Sequence, residues 1–183
     1  VCPDTRISVI MDGLLELYGA VKNDELDCVM TSYYEPLAQG LGWIPLWEDE
    51  LVAVLPASFP LEGNVMPAEL FDRSNFLMPS QGFDYDILPI FRSAGVSPDI
   101  RDTSVDDSTV ISMVELGLGY SILSELILEG RRDNIIARPL EGGAYRPLGI
   151  TLPSLQQATP LTLRFIDYSR EVVHAIHAAP AQN

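Results

Sequence analysis

The apolar positions of the chain fall into short runs that alternate between a period near two and a period near 3.6. Residues 5–11, "TRISVIM", are rich in β-branched side chains and read as a strand. In the following "DGLLELYGAVKNDELD", Asp12 can N-cap, and Leu14, Leu15, Tyr18 and Val21 recur at helical spacing. "DCVMTS" then reads as a short buried strand ending in a polar loop. This strand–helix–strand order predicts that the first two strands run parallel. Pro36, Gly40 and Gly42 mark "YYEPLAQGLGW" as loop, and Glu50 to Leu55 form a strand closed by Pro56. Pro67 opens a short helix in "MPAELFDR", and "NFLMP" is another strand. "SQGFDYDILPIFRSAG" starts at a capping-type Ser80, carries a helical pattern and closes on Gly95. Pro89 inside it requires either a late helix start or a kink.

Further along, "DIRDTSV" is a strand, and Asp106 or Asp107 caps the helix "STVISMVELG". Its Val110, Met113, Val114 and Leu116 share one stripe. "YSILS" is the next strand and "GRRDN" a polar turn. "IIARPL" and "RPLGITLP" are two strands joined by a tight reversal at Gly142-Gly143. "PLTLRFIDYSREVVHAIHA" is a terminal amphipathic helix, and the tail "APAQN" is expected to fray. Strands alternating with helices predict an α/β fold with mostly parallel sheets. In "SMVELGLGYSIL" a helix stops abruptly and feeds a strand. Gly117 suits a left-handed helix cap, and Gly119 lets the backbone enter the sheet without a Cβ clash.

Composition narrows the functional classes. A length of 183 residues suits one compact domain or two small lobes, and 47% hydrophobic content is enough for a core. No uninterrupted apolar window approaches the ~18 residues a membrane span needs, and the first residues lack the pattern of a signal peptide. The net charge of −15 repels phosphate backbones, so a broad nucleic-acid grip and an anionic membrane surface are both disfavoured. Cys2 and Cys28, with no CxxC, lean towards a reducing, cytoplasmic compartment without a disulfide framework. No GxSxG, HExxH or phosphate-binding loop is present, and no catalytic residue, metal ligand set or cofactor is expected.

Six stretches in order carry a resemblance. They are "CPDTRISVI", "AVKNDELDCVMTS", "PLWEDELVAVLPASFPL", "AELFDRSNFLM", "FRSAGVSPDI" and "SMVELGLGYSIL". Together they are similar to the effector-binding domain of LysR-type transcriptional regulators, over nearly the whole chain. Two positions depart from that pattern: Ser124 stands where proline is usual, and Phe59 where histidine commonly precedes "PL". Members of the family begin this domain with a further strand and helix of about thirty residues, and carry a helix-turn-helix before that. The chain is therefore expected to be a piece of a longer regulator.

The resemblance implies a fold of two Rossmann-like lobes joined by two crossover strands, as in type 2 periplasmic binding proteins. Crossings near Trp47 to Glu50 and Asn134 to Ala137 would assign residues 1–47 and 136–183 to the first lobe and 48–135 to the second. A small-molecule effector would bind between the lobes, at strand C-termini and helix N-termini. Thr31 and Ser32 end a strand on one side; the alternative is an ordinary polar loop. Ser80, Gln81 and Gly82 begin a helix on the other, where unpaired N–H groups suit a carboxylate; a plain N-cap is the alternative. Val105 and Asp106 complete the set, Asp106 fitting a helix cap as well as a ligand contact. Asp84, Asp86 and the run Glu48-Asp49-Glu50 read as solvated surface. His174 and His177 read as surface histidines, and Cys28 as a small buried hydrophobe.

The implied function is effector sensing by a homodimeric or tetrameric regulator, with DNA bound only through the N-terminal domain outside this chain. A solute-binding protein of a transport system shares the fold, and an enzyme on this scaffold is a further alternative.

Overall fold

One strand organises the molecule. In the computed structural model, which describes residues 5–60, 63–79, 83–101, 106–131 and 134–178, β2 runs for 15 residues, Gly42–Pro56. Its first half pairs with β7 (Tyr145–Leu152), from Gly42 opposite Leu152 to Glu50 opposite Tyr145. Beyond β7 lies β1 (Val29–Ser32). The second half of β2 lies between β5 (Ser121–Ser124) and β6 (Ile135–Pro139). All four of these pairings are antiparallel. The parallel contacts are β3 (Asn75–Leu77) beside β4 (Asp99–Arg101), with a single bridge from β3 at Phe76–Tyr120, and a separate single bridge beside the end of β6 at Met66–Leu140.

This corrects the expectation of mostly parallel sheets. A strand long enough to serve two sheets meets its returning partners head-on, and every return along β2 is antiparallel to it. It also corrects the tight reversal at Gly142-Gly143. β6 and β7 run the same way along β2, one after the other, and do not pair with each other. Residues 140–144 are a side loop opposite the single residue Leu51, whose N–H donates to the Ala144 carbonyl at 2.8 Å. Gly142 and Gly143, at φ +81° and +74°, take the left-handed turn this loop needs.

Residues 5–11 form no strand. Ile7, Val9, Ile10 and Met11 are 58–93% exposed. A β-rich run becomes a strand only when a neighbour supplies ladder partners, and none of the described residues lies alongside. The parallel first pair therefore has no counterpart here.

The helices follow the apolar periodicity more closely. α1 (Leu14–Lys22) buries Leu14, Tyr18 and Val21. Its N-cap position is Gly13, whose N–H Asp12 accepts from the preceding residue. α2 is a single turn, Glu35–Ala38, inside the stretch expected to be loop. α3 (Phe83–Ala94) runs through Pro89, which removes the bond that the Tyr85 carbonyl would otherwise accept. α4 (Asp107–Glu115) is capped by Asp106, and α5 (Pro160–Ala178) closes the chain.

Both faces of the second half of β2 are covered. Leu51, Ala53 and Leu55 meet Phe71, Phe76, Ile87 and Phe91 on the α3 side, and Val52 and Val54 meet Val110 and Val114 of α4. The three phenylalanine rings pack edge-on or tilted at 4.9–5.7 Å, a geometry that favours ring edge against ring face. Around the first half of β2 the core is smaller: Ile44, Ile150, Leu152 and Ile166.

The end of α4 bears out the reading of its glycines. Gly117 (φ +72°) donates to Val114 and Leu118 to Met113, the paired bonds of a Schellman cap. Leu116, expected on the buried stripe, is instead the C-cap and 77% exposed. At Gly119 a Cβ would come within 2.6 Å of the Asn75 carbonyl oxygen, which accepts from the Tyr120 N–H.

Candidate functional site

β1, the β2–β7 ribbon and the first turn of α3 converge on a small set of polar side chains. Thr31 and Ser32 sit at the end of β1, opposite Gly149 and Leu148 of β7. Ser32 is buried, and its carbonyl accepts from the Tyr18 hydroxyl at 3.1 Å. That hydroxyl also receives the Tyr34 N–H at 3.4 Å, so α1 fixes the turn that leaves β1. Tyr34 packs on Tyr85 of α3 with ring centroids 4.3 Å apart. The end of β1 and the start of α3 are thus held face to face.

Three charges lie beside this contact. Asp49 of β2 is fully buried, and Arg146 stands directly opposite it on β7. Arg146 Nε donates to Asp49 Oδ2 at 2.7 Å. Asp86 of α3 approaches the same guanidinium, with Oδ2 4.0 Å from Nη1, and takes a hydrogen bond from the Ser32 side chain. Two carboxylate oxygens, Asp49 Oδ1 and Asp86 Oδ2, are buried without a hydrogen-bond partner. Burial pushes the Asp86 carboxyl up to about 6. Arg146 and the Ser32 hydrogen bond oppose that rise, while Asp49 and Asp84 reinforce it.

This overturns the surface assignment of Asp49 and Asp86. A signal was available for Asp49. It shares strand parity with Leu51, Ala53 and Leu55, which all point into one core cluster. Nothing local marked Arg146, because its partner is 97 residues away. Of the other expected site residues, Ser80, Gln81, Gly82 and Val105 lie outside the described residues. Asp106 is exposed and spent on its helix. It accepts from the Ser108 hydroxyl at 2.6 Å and from the Thr109 hydroxyl and N–H at 2.9 and 3.1 Å. Those bonds, from Ser108 first and then Thr109, hold its carboxyl down to about 2. The open concavity that Asp106 lines, about 540 Å³, includes Leu126, Ile127 and Arg131 and shares no residue with the Ser32 cluster.

His174 is exposed on α5, and no group of three or more metal-ligating side chains occurs among the described residues. Cys28 is a half-buried free thiol. Burial, and secondarily Asp27, raise its pKa, which makes it a poor nucleophile. No helix among the described residues is long and apolar enough to cross a membrane.

The sign of the Asp86 shift gives a first expectation. The folded chain holds this proton more tightly than the unfolded chain, whose carboxyl titrates near 3.8. The group therefore favours folding fully below about pH 4, and that contribution is lost as pH rises through about 6. Asp86→Asn is expected to stabilise the chain at neutral pH by about 1–2 kcal/mol, after discounting for the solvent that still reaches the group. It should also flatten the pH dependence between those limits. Urea unfolding across that range checks both; a variant less stable than the parent at neutral pH contradicts the expectation.

Two lobes, each with its own sheet and joined through β2 and the return from β6 to β7, define the periplasmic-binding-protein-like architecture. The model of the LysR substrate binding domain matches residues 1–174, and the chain belongs to that family. It is 28% identical over 136 residues to an uncharacterized HTH-type transcriptional regulator, YvbU of Bacillus subtilis, covering 73% of this chain and 47% of that protein. The chain thus spans about half the length of this relative, or less. The regulatory domain of Synechocystis CcmR, solved in complex with 2-PG, superposes with a TM-score of 0.82 at 21% identity, over 93% of this chain and 85% of that one. The effector binding domain of QuiR, solved with shikimate, gives 0.77 at 18% identity, over 90% and 79%.

Proposed function

We propose that this chain is the effector-sensing unit of a LysR-type transcriptional regulator. A small polar molecule binds between the lobes and alters DNA binding by a helix-turn-helix domain elsewhere in the protein. The observation that carries this is the polar cluster of buried Ser32 and Asp49 with the largely buried Asp86 and Arg146. It lies where both sheets and the first turn of α3 meet, in a chain of this family. Such a cluster stabilises a fold poorly and suits a site that exchanges partners. Thr31, Ser32, Ser80, Gln81, Gly82 and Val105 are the proposed ligand contacts. Asp106 contributes through its place at the start of α4, its carboxylate being engaged.

The strand register supports lobe boundaries slightly different from those expected. The division falls after Glu50, and again between Pro139 and Tyr145. A carboxylate-bearing effector is favoured by Arg146 and by the 2-PG and shikimate of the similar structures. Function without catalysis, a cytoplasmic location and a homodimer or tetramer complete the proposal. Exposed Leu15 on α1 and Leu116 and Leu118 after α4 support self-association.

A thermal-shift screen of small carboxylates, 2-PG and shikimate among them, is expected to find one that raises Tm. Thr31→Ala, Ser32→Ala and Ser80→Ala should each weaken that ligand several-fold, the loss of one hydrogen bond of about 0.5–1.5 kcal/mol. Calorimetry reads the change; unaltered affinity in all three removes the site from this cleft.

A further inference from the structure

Asp49 and Asp86 hold Arg146 unequally. Asp49 faces it across the ladder with a 2.7 Å hydrogen bond, and is fully buried. Asp86 arrives from α3 and stops at 4.0 Å, beyond hydrogen-bonding distance. Its Oδ2 is buried and has no hydrogen-bond partner. A carboxylate in that position has given up water without a full replacement, and is the weaker of the two partners. It also sits on a different element from the other two, so the contact ties the first turn of α3 to the β2–β7 ribbon.

We propose that Asp86 is an internal stand-in for the effector: an anionic group of the effector displaces the Asp86 carboxylate from Arg146 and seats between the two, moving the first turn of α3 outward while Asp86 stays against the bound anion. This rests on the reading of the cleft given above. It adds the group that the ligand displaces, a proton linkage and a route from binding to shape change. The ligand gains the guanidinium only in the arrangement where α3 has let go, which is the differential affinity that a conformational response requires.

Charge makes the exchange proton-linked. The groups facing Asp86 are Arg146 from β7, Asp49 from β2, the Ser32 hydroxyl from β1 and Asp84 on its own helix. Asp49, Asp86 and Arg146 sum to one negative charge, so a second anion is opposed while Asp86 is ionised. Protonated, Asp86 no longer competes for the guanidinium and can donate a hydrogen bond to the incoming anion. Its pKa of about 6 places this change near neutrality. Anion binding therefore takes up one proton at Asp86.

Sulfate is the test probe, since its own charge is constant over the range. The 183-residue chain is titrated with sodium sulfate at fixed ionic strength and followed by backbone amide shifts in β7 and α3. Saturable binding is expected to be roughly 20-fold tighter near pH 5.5 than near pH 7.5. Asp86→Asn should bind equally at both. The paired substitution Asp49→Asn with Arg146→Gln, which removes the fully buried Asp49 charge together with its partner, should abolish saturable binding. Sulfate binding that needs Arg146 but ignores pH, or pH dependence that survives Asp86→Asn, overturns the displacement and leaves the cleft reading in place. Binding that survives the paired substitution, or its absence throughout, overturns the role of Arg146 as well. The Thr31, Ser32 and Ser80 measurements then decide the cleft independently.

Discussion

Arg146→Ala is expected to cost the fold about 3–5 kcal/mol, enough to unfold much of a marginally stable chain. Truncation strips the guanidinium from Asp49, whose side chain is 1% exposed and whose Oδ1 already lacks a partner. An uncompensated buried carboxylate is far more costly than the ion pair was favourable. The paired change Asp49→Asn with Arg146→Gln removes the Asp49 charge together with its partner, leaves only the largely buried Asp86 without the guanidinium, and should cost clearly less. Urea denaturation of the two variants checks the expectation. If Arg146→Ala is no less stable than the paired variant, the cluster is better hydrated than its geometry implies.

Gly149→Ala should be comparably damaging, at or above the roughly 3 kcal/mol upper range of overpacking. Gly149 lies mid-β7, flanked by β1 and β2. A Cβ there would run into the Ile44 carbonyl oxygen and meet Trp43 Cη2 and Cζ2 at 2.6 and 2.7 Å. The indole could swing aside, but the carbonyl belongs to the ladder and cannot. Gly19→Ala is the contrasting change: it sits in α1 with nothing within 4 Å of its Cβ position. It should raise stability by about 0.5–1 kcal/mol through helix propensity. Melting temperatures of the two variants must move in opposite directions. A neutral Gly149→Ala would mean that the β2–β7 ladder shifts freely, and with it the Asp49–Arg146 pair.

How far the sequence could be read depended on the range of the interaction. The helix–glycine–glycine–strand transition after α4 was legible, because its cap bonds join residues a few positions apart. So was the Asp106 cap, which serves Ser108 and Thr109. The reversal at Gly142-Gly143 was misread for the opposite reason. Two consecutive strands with glycines between them resemble a hairpin until β2 is known to be long enough to partner both in turn. Residues 5–11 failed in the same way: alternation is a property of the segment, but a ladder is a property of two.

The candidate site divided along the same line. Thr31 and Ser32 could be picked out because a strand ending in hydroxyls is visible locally. Asp49 and Asp86 read as surface because acids usually are, and only the fold draws them out of solvent beside Arg146. The sequence by itself determined the longer helices, the Asp106 cap and the glycine stop of α4, the order of segments and, through that order, the family. The tertiary structure alone decided strand direction, the length of β2 on either side of the crossing, and which charges share one space. Hydrophobic period and turn chemistry act within a few residues, whereas ladders, burial and the pairing of charges are settled between residues that the chain brings together only on folding.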